Sequence, residues 1–209
     1  SSDLLNRLKK ICLVPNYIYF KYDEYLKNKK KYYSLISEKF KKKIIIRSAA
    51  FDEDRNYSNA GKYLSVGNIL KENFKHIDNS IVNVFLSYKR NTSQYVIIQE
   101  YIDDAEIVGV IFSKDPKNGS LFRTINFNSS KKTSLITSGV SNGKIIYYYK
   151  NYKKLKLNKN IYKIEKQIRN LEKNFKYNAL DIEFLIKGNK IQFLQIRELF
   201  ISNENKVKP

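Results

Sequence analysis

Four side chains near the C-terminal end of the sequence could do chemistry together. In DIEFLIKGNKIQFLQIR, Asp181 and Glu183 alternate with Ile182 and Phe184, and Gln195 and Arg197 alternate with Leu194 and Ile196, so a pair of strands would carry each polar pair on one face. A two-residue Gly188-Asn189 turn would oppose Glu183 to Leu194 and mix the faces. A three-residue connection through Gly188, Asn189 and Lys190 with a bulge opposes Glu183 to Gln195 and Ile182 to Ile196, and this register is the expectation. Carboxylate and amide oxygens beside a guanidinium suit a cation-bound polyphosphate, with hard oxygens for Mg2+ and forked donors for phosphate. The plain alternative is a solvated hairpin face with an ordinary ion pair.

A second segment, IIIRSAAFDEDRNYSNAGKY, offers another guanidinium. Arg47 ends a run of three β-branched residues that reads as a buried strand, and Ser58, Asn59, Ala60 and Gly61 follow in a polar stretch. Open backbone amides there could meet an anion, with Gly61 allowing close approach of the chain. An ordinary surface loop is the alternative.

Elements must bring these segments together. Leu4, Leu5, Leu8, Ile11 and Cys12 recur at helical spacing and predict an amphipathic helix that stops near Pro15. Tyr17 to Phe20 reads as extended, about 23–40 as one helix, 41–48 as a strand, and 68–89 as helices interrupted near Asp78. Strands are expected at 93–102, 106–113, 121–128, 134–139 and 144–150, then a helix at 159–174 and the final hairpin. Helices first and antiparallel strands after make the fold class α+β. Residues 1–98 and 99–204 are expected to form two lobes with a ligand cleft between them, and 205–209 the start of a linker.

The sequence has 209 residues and a formal net charge of +20. Lys, Ile, Asn and Tyr together make 99 of those residues, so much of the basicity is compositional bias spread along the chain. A nucleic-acid interface would instead be gathered into a stripe; a basic nucleic-acid-binding module is kept as an alternative function. At 42% hydrophobic and 14% aromatic the chain can bury a core. No apolar run reaches the roughly 18 residues of a membrane span, and Cys12 is the single cysteine, which excludes cysteine-based zinc sites and suggests a reducing, cytoplasmic setting.

Three segments carry a resemblance. IIIRSAAFDED followed by SNAGKY resembles the VRSSATAED and SFAGQY segments of the phosphoenolpyruvate synthase and pyruvate phosphate dikinase family. YVIIQEYIDDAEIVGVIFSKDP resembles its VVVQxMVxAxxSGVxFTxDP, and ALDIEFLIKGNKIQFLQIREL its QDIEWAIxxGKLYLLQARPI. They occur in the family's order and span roughly residues 1 to 200.

The resemblance implies an ATP-grasp nucleotide-binding domain that uses ATP and Mg2+. By position, Arg47 and Arg197 match phosphate-contacting arginines, Glu183 and Gln195 match magnesium ligands, and Asp181 matches the supporting acid. Ser58, Ala60 and Gly61 match the loop that closes on the phosphates, and Gln99, Glu100, Tyr101 and Ile102 match the hinge that meets the adenine edge. The implied partners are a swivelling domain of the same polypeptide, whose His takes the phosphoryl group, and a domain binding a small-metabolite acceptor. His76 lies outside every motif and is not expected to be that carrier. A family lysine would fall before residue 1, and the GLGE acid is replaced by Lys131, Lys132, Thr133 and Ser134. FRTINFNSSKKTSLITSG resembles a shorter subgroup in bacterial surface-polysaccharide clusters, so a glutamine-amide kinase of capsule biosynthesis is preferred over a pyruvate dikinase. A degenerate regulatory domain is a further alternative.

Overall fold

The computed structural model describes residues 2–49, 64–87, 95–129, 143–151, 159–199 and 201. Two antiparallel sheets form the frame. The first is built from β1 (Tyr17–Lys21), β2 (Lys43–Ala49), β3 (Ser65–Leu70) and β4 (Tyr95–Glu100) in the order β1-β4-β2-β3. The second holds β5 (Ile107–Phe112), β6 (Phe122–Asn128), β7 (Lys144–Tyr149), β8 (Leu180–Lys187) and β9 (Lys190–Glu198) in the order β7-β6-β5-β8-β9. The α+β class expected from the sequence is the class observed.

Alternation divides the first sheet between two environments. Ile44, Ile46, Val96 and Ile98 face a core shared with α2 (Tyr22–Lys27), α3 (Lys29–Lys39) and α4 (Phe74–Leu86). Ala49, Ile97 and Tyr17 face the other way, into a second core with Leu4, Leu5 and Leu8 of α1 (Ser2–Lys9). That second core continues to α5 (Lys159–Asn174), whose Ile161, Ile164, Ile168 and Leu171 pack on Ile182, Phe184 and Ile196. Buried Arg123 pins α5 to β6 through Glu172 at 2.8 Å and Glu165 at 2.7 Å.

Several expectations change. The helix predicted over 23–40 breaks at Asn28, whose φ of −150° and ψ of 64° are not helical; its side chain accepts from Lys31 N and starts α3 afresh. The region 68–89 yields β3, unanticipated, and then one uninterrupted α4. Asp78 does not break that helix because its carboxylate accepts from Lys29 Nζ at 2.7 Å and Tyr25 Oη at 2.8 Å. The position between residues 98 and 99 falls inside β4, so the first sheet runs through Glu100. The strand expected at 134–139 lies outside the described residues.

The final hairpin corrects one detail and keeps its consequence. Its turn has two residues, Lys187 pairing Lys190, with Gly188 at φ +59° as the first central position of a type II′ turn. The bulge sits further along instead: Phe184 pairs Phe193 but Glu183 pairs Gln195, leaving Leu194 as the extra residue. Moving the bulge from the turn to Leu194 lets the tight turn coexist with the Glu183–Gln195 pairing.

Candidate functional site

Five side chains from three strands converge where the two sheets approach each other. Arg47, on β2, donates from Nη2 to Glu183 Oε2 on β8 at 2.5 Å. Arg197, on β9, lies 3.0 Å from Asp181 Oδ2 and 3.6 Å from Glu183 Oε1. The pairing of Glu183 with Gln195 and of Asp181 with Arg197 puts these four on one face of the second sheet. Arg47 reaches that face because alternation in β2 turns it away from the Ile44 and Ile46 side.

The electrostatics are those of a half-satisfied ionic lattice. Arg47 and Asp181 are 6% and 5% exposed, and Arg47 Nε and Asp181 Oδ1 are buried without a hydrogen-bond partner. Burial pushes the Asp181 carboxyl up to about 6 against the pull of Arg197, and the Glu183 charge adds to the rise. Burial also opposes ionisation of Glu183, but the charges of Arg47 and Arg197 and the Arg47 hydrogen bond outweigh it and hold that carboxyl below the usual range. Unpartnered buried polar atoms are costly and mark places where another group fits.

The donor set fits a magnesium polyphosphate. Two forked guanidiniums can bind phosphate oxygens, and Glu183 with the Gln195 amide oxygen supplies hard cation ligands. Among the described residues no group of three or more His, Cys, Asp or Glu side chains gathers to hold a metal. A cation here would therefore complete its shell with phosphate and water, as Mg2+ ordinarily does.

Other positions named from the sequence lie around this cluster. The Gln99 side chain lines a small cavity with Leu5, Arg47, Ser48, Gln195 and Ile196. Its backbone is in mid-ladder, opposite both Tyr17 and Ile45. The Glu100 and Tyr101 N–H groups donate to Asn16 O and Lys43 O, and Ile102 follows just past the end of β4. Ser58, Ala60 and Gly61 lie outside the described residues. His76 is exposed on α4, across the first sheet from Arg47.

One feature escaped the sequence reading. Ala105, Val108 and Leu185 form a small apolar cluster with Ile102 and Leu194 beside them, one alternation step from Glu183 on β8. Leu194 joins it because the bulge turns two successive β9 side chains, Leu194 and Gln195, toward the same side. The signal was present in the mismatch between a two-residue turn and the polar pattern.

Comparison with known proteins gives the architecture a name. No family model matches the sequence, and no curated protein matches it. Among solved structures, D-alanine-D-alanine ligase from Helicobacter pylori superposes with a TM-score of 0.52 at 12% identity, covering 94% of this chain and 49% of the ligase. The Bacillus anthracis D-alanine–D-alanine ligase complexed with ATP gives 0.52 at 12% identity, covering 95% and 52%. A RiPP-associated ATP-grasp ligase from Chryseobacterium gregarium, in complex with ADP and a leader and core peptide, gives 0.51 at 13%, covering 95% and 51%. The chain spans about half the length of these proteins. Its two antiparallel sheets and the helices packed on them make an ATP-grasp fold.

Proposed function

We propose that the chain is the ATP-binding domain of an ATP-dependent phosphotransferase, with the triphosphate held between the sheets. The observation that carries this reading is the meeting of Arg47 and Arg197 on the Glu183 carboxylate, with buried atoms left unpartnered beside it. On nucleotide binding the two arginines turn from carboxylates to phosphate oxygens. Glu183 and Gln195 would hold the cation, and Asp181 would keep Arg197 oriented. Bound Mg2+ supplies neutralisation of charge on the transferring phosphoryl group. The apolar cluster of Ala105, Val108, Leu185, Ile102 and Leu194, beside the end of β4, takes the base. The main chain of residues 99–102 is the segment that the resemblance sets at its polar edge, and the resemblance assigns Ser58, Ala60 and Gly61, which lie outside the described residues, to the phosphates.

The three motif resemblances support a finer reading, in which the phosphoryl group goes to a His of a separate swivelling domain and then to a small acceptor, glutamine amide rather than pyruvate. The position of His76, across the first sheet from the cluster, agrees with a carrier outside this chain. A second reading has specific support: the similar solved structures are D-alanine-D-alanine ligases and an ATP-grasp ligase in complex with ADP, and a ligase of that kind would release ADP. Calorimetric titration of the chain with ATP, in Mg2+ and in EDTA, tests nucleotide binding; Mg2+-dependent binding is expected, and a folded chain that binds no nucleotide in Mg2+ refutes it. In the complete polypeptide, label from ATP retained on protein histidine supports the dikinase reading. ADP release with no histidine label supports the ligase.

A further inference from the structure

Gln99 is 1% exposed, yet it carries a polar side chain on β4, a strand paired on both sides. Its Nε2 crosses from the first sheet to the second and donates to the carbonyl of Leu194 at 3.2 Å. Leu194 is the bulged residue of β9, an edge strand. The neighbouring Phe193 N–H also bonds outside the sheet, to Leu13 O at 2.9 Å. Two main-chain groups at the bulge are thus fixed by partners that belong to neither β8 nor β9.

We propose that Gln99 is a positioning residue for the cation-binding pair, holding the β9 bulge so that Gln195 stands opposite Glu183. The inference rests on the nucleotide reading above for its functional consequence, though its geometry does not.

Register decides where Gln195 stands. From the turn, Lys187 pairs Lys190 and Phe184 pairs Phe193, and an unbroken ladder would next set Glu183 against Leu194. Gln195 would then leave the face of Glu183, because a one-residue slip moves side chains across a strand. The extra residue at Leu194 prevents this, and because the ladder is interrupted there its main-chain groups are open to partners from outside the sheet. Gln99 gives that support from a paired, central strand of the other sheet, next to Arg47 in the same cavity. One amide therefore couples the sheet that supplies Arg47 to the strand that supplies Gln195 and Arg197. Groups that orient metal ligands without touching the metal commonly change metal affinity 10- to 100-fold when removed.

Two variants test this in the 209-residue chain. Gln99→Leu keeps the bulk and removes the donor; Gln99→Asn keeps the amide but shortens its reach, and serves if the first fails to fold. Nuclear Overhauser contacts between Glu183 and Gln195, measured without ligand, are expected in the wild type and lost in the variants. Nucleotide affinity in Mg2+ is expected to fall about 10-fold or more, with affinity in EDTA within about twofold of wild type. Persistence of the Glu183–Gln195 contacts in both variants overturns the proposal, as does an equal fall with and without Mg2+, which marks a merely structural residue. Failure of the wild type to bind nucleotide would refute the nucleotide reading alone, and the ligand-free contacts would still decide the role of Gln99.

Discussion

Arg47 and Glu183 are separated by 136 positions in the chain, and their side chains meet at 2.5 Å. Each comes from a different sheet, so this pair is a direct ionic tie between the two sheets. Desolvating two charges costs several kcal/mol each, and the mutual attraction returns it only when geometry and further hydrogen bonds are good. Here Arg47 Nε is left without a partner. The cluster is therefore held together by ion pairs that leave one buried donor without a partner.

That tie predicts asymmetric costs. Glu183→Ala leaves Arg47 buried without its countercharge and is expected to lower the unfolding free energy by about 3–5 kcal/mol. Arg47→Leu combined with Glu183→Leu is expected to recover much of the loss, because an apolar pair replaces a buried ionic one at little net cost. Urea denaturation of the single and double variants checks both. Neither is expected to bind nucleotide in Mg2+.

Asp181 predicts a pH dependence of definite sign. Its carboxyl is raised from 3.8 to about 6 in the folded chain, so between these values the folded state holds a proton that the unfolded state has released. Stability contributed by this group is present below about pH 4 and is lost as pH rises through about 6, with a span on the order of 3 kcal/mol. The difference in unfolding free energy between pH 4 and pH 7 is therefore expected to be more positive in the wild type than in Asp181→Asn by that order. Equal pH profiles for the two proteins would contradict the assignment.

Asn28 predicts a local effect. Because its side-chain oxygen accepts from Lys31 N at the start of α3, Asn28→Ala is expected to cost about 1 kcal/mol. Thermal or chemical denaturation measures it, and a change within a few tenths would show that the cap is idle.

Gly109 predicts a steric one. A β-carbon there would stand 2.6 Å from Asn126 O and 2.7 Å from the Phe184 ring, so Gly109→Ala in the middle of β5 is expected to cost about 1–3 kcal/mol by forcing strands apart. The same denaturation experiment reads the loss.

The sequence exposed most of this site because its grammar is local. Alternation put Asp181 with Glu183 and Gln195 with Arg197 on shared faces, and requiring the polar groups to gather gave the Glu183–Gln195 pairing seen in the structure. What it hid was set by contacts distant in the chain. The bulge lies at Leu194, not at the turn, and its carbonyl is met by Gln99, 95 positions away. β3 escaped notice because SVGNIL contains a Gly-Asn pair with Asn68 at φ 60° and carries one extra residue between its pairings with Ile46 and Ile44, so its alternation is broken. Asn28 looked like a helix interior because the residues on both sides are helix formers, and only its capping bond reveals the break. Asp78 looked like a breaker because Lys29 and Tyr25, which partner it, come from other helices.

The most direct measurement replaces Mg2+ with Mn2+ and follows paramagnetic broadening in the spectrum of the chain with ATP added. Broadening is predicted to centre on the Gln195 side-chain amide and on residues 47, 183 and 197, and to vanish when either ATP or Mn2+ is withheld. Broadening centred elsewhere in the fold, or unchanged by Glu183→Ala, would contradict the placement of the triphosphate and its cation between the two sheets.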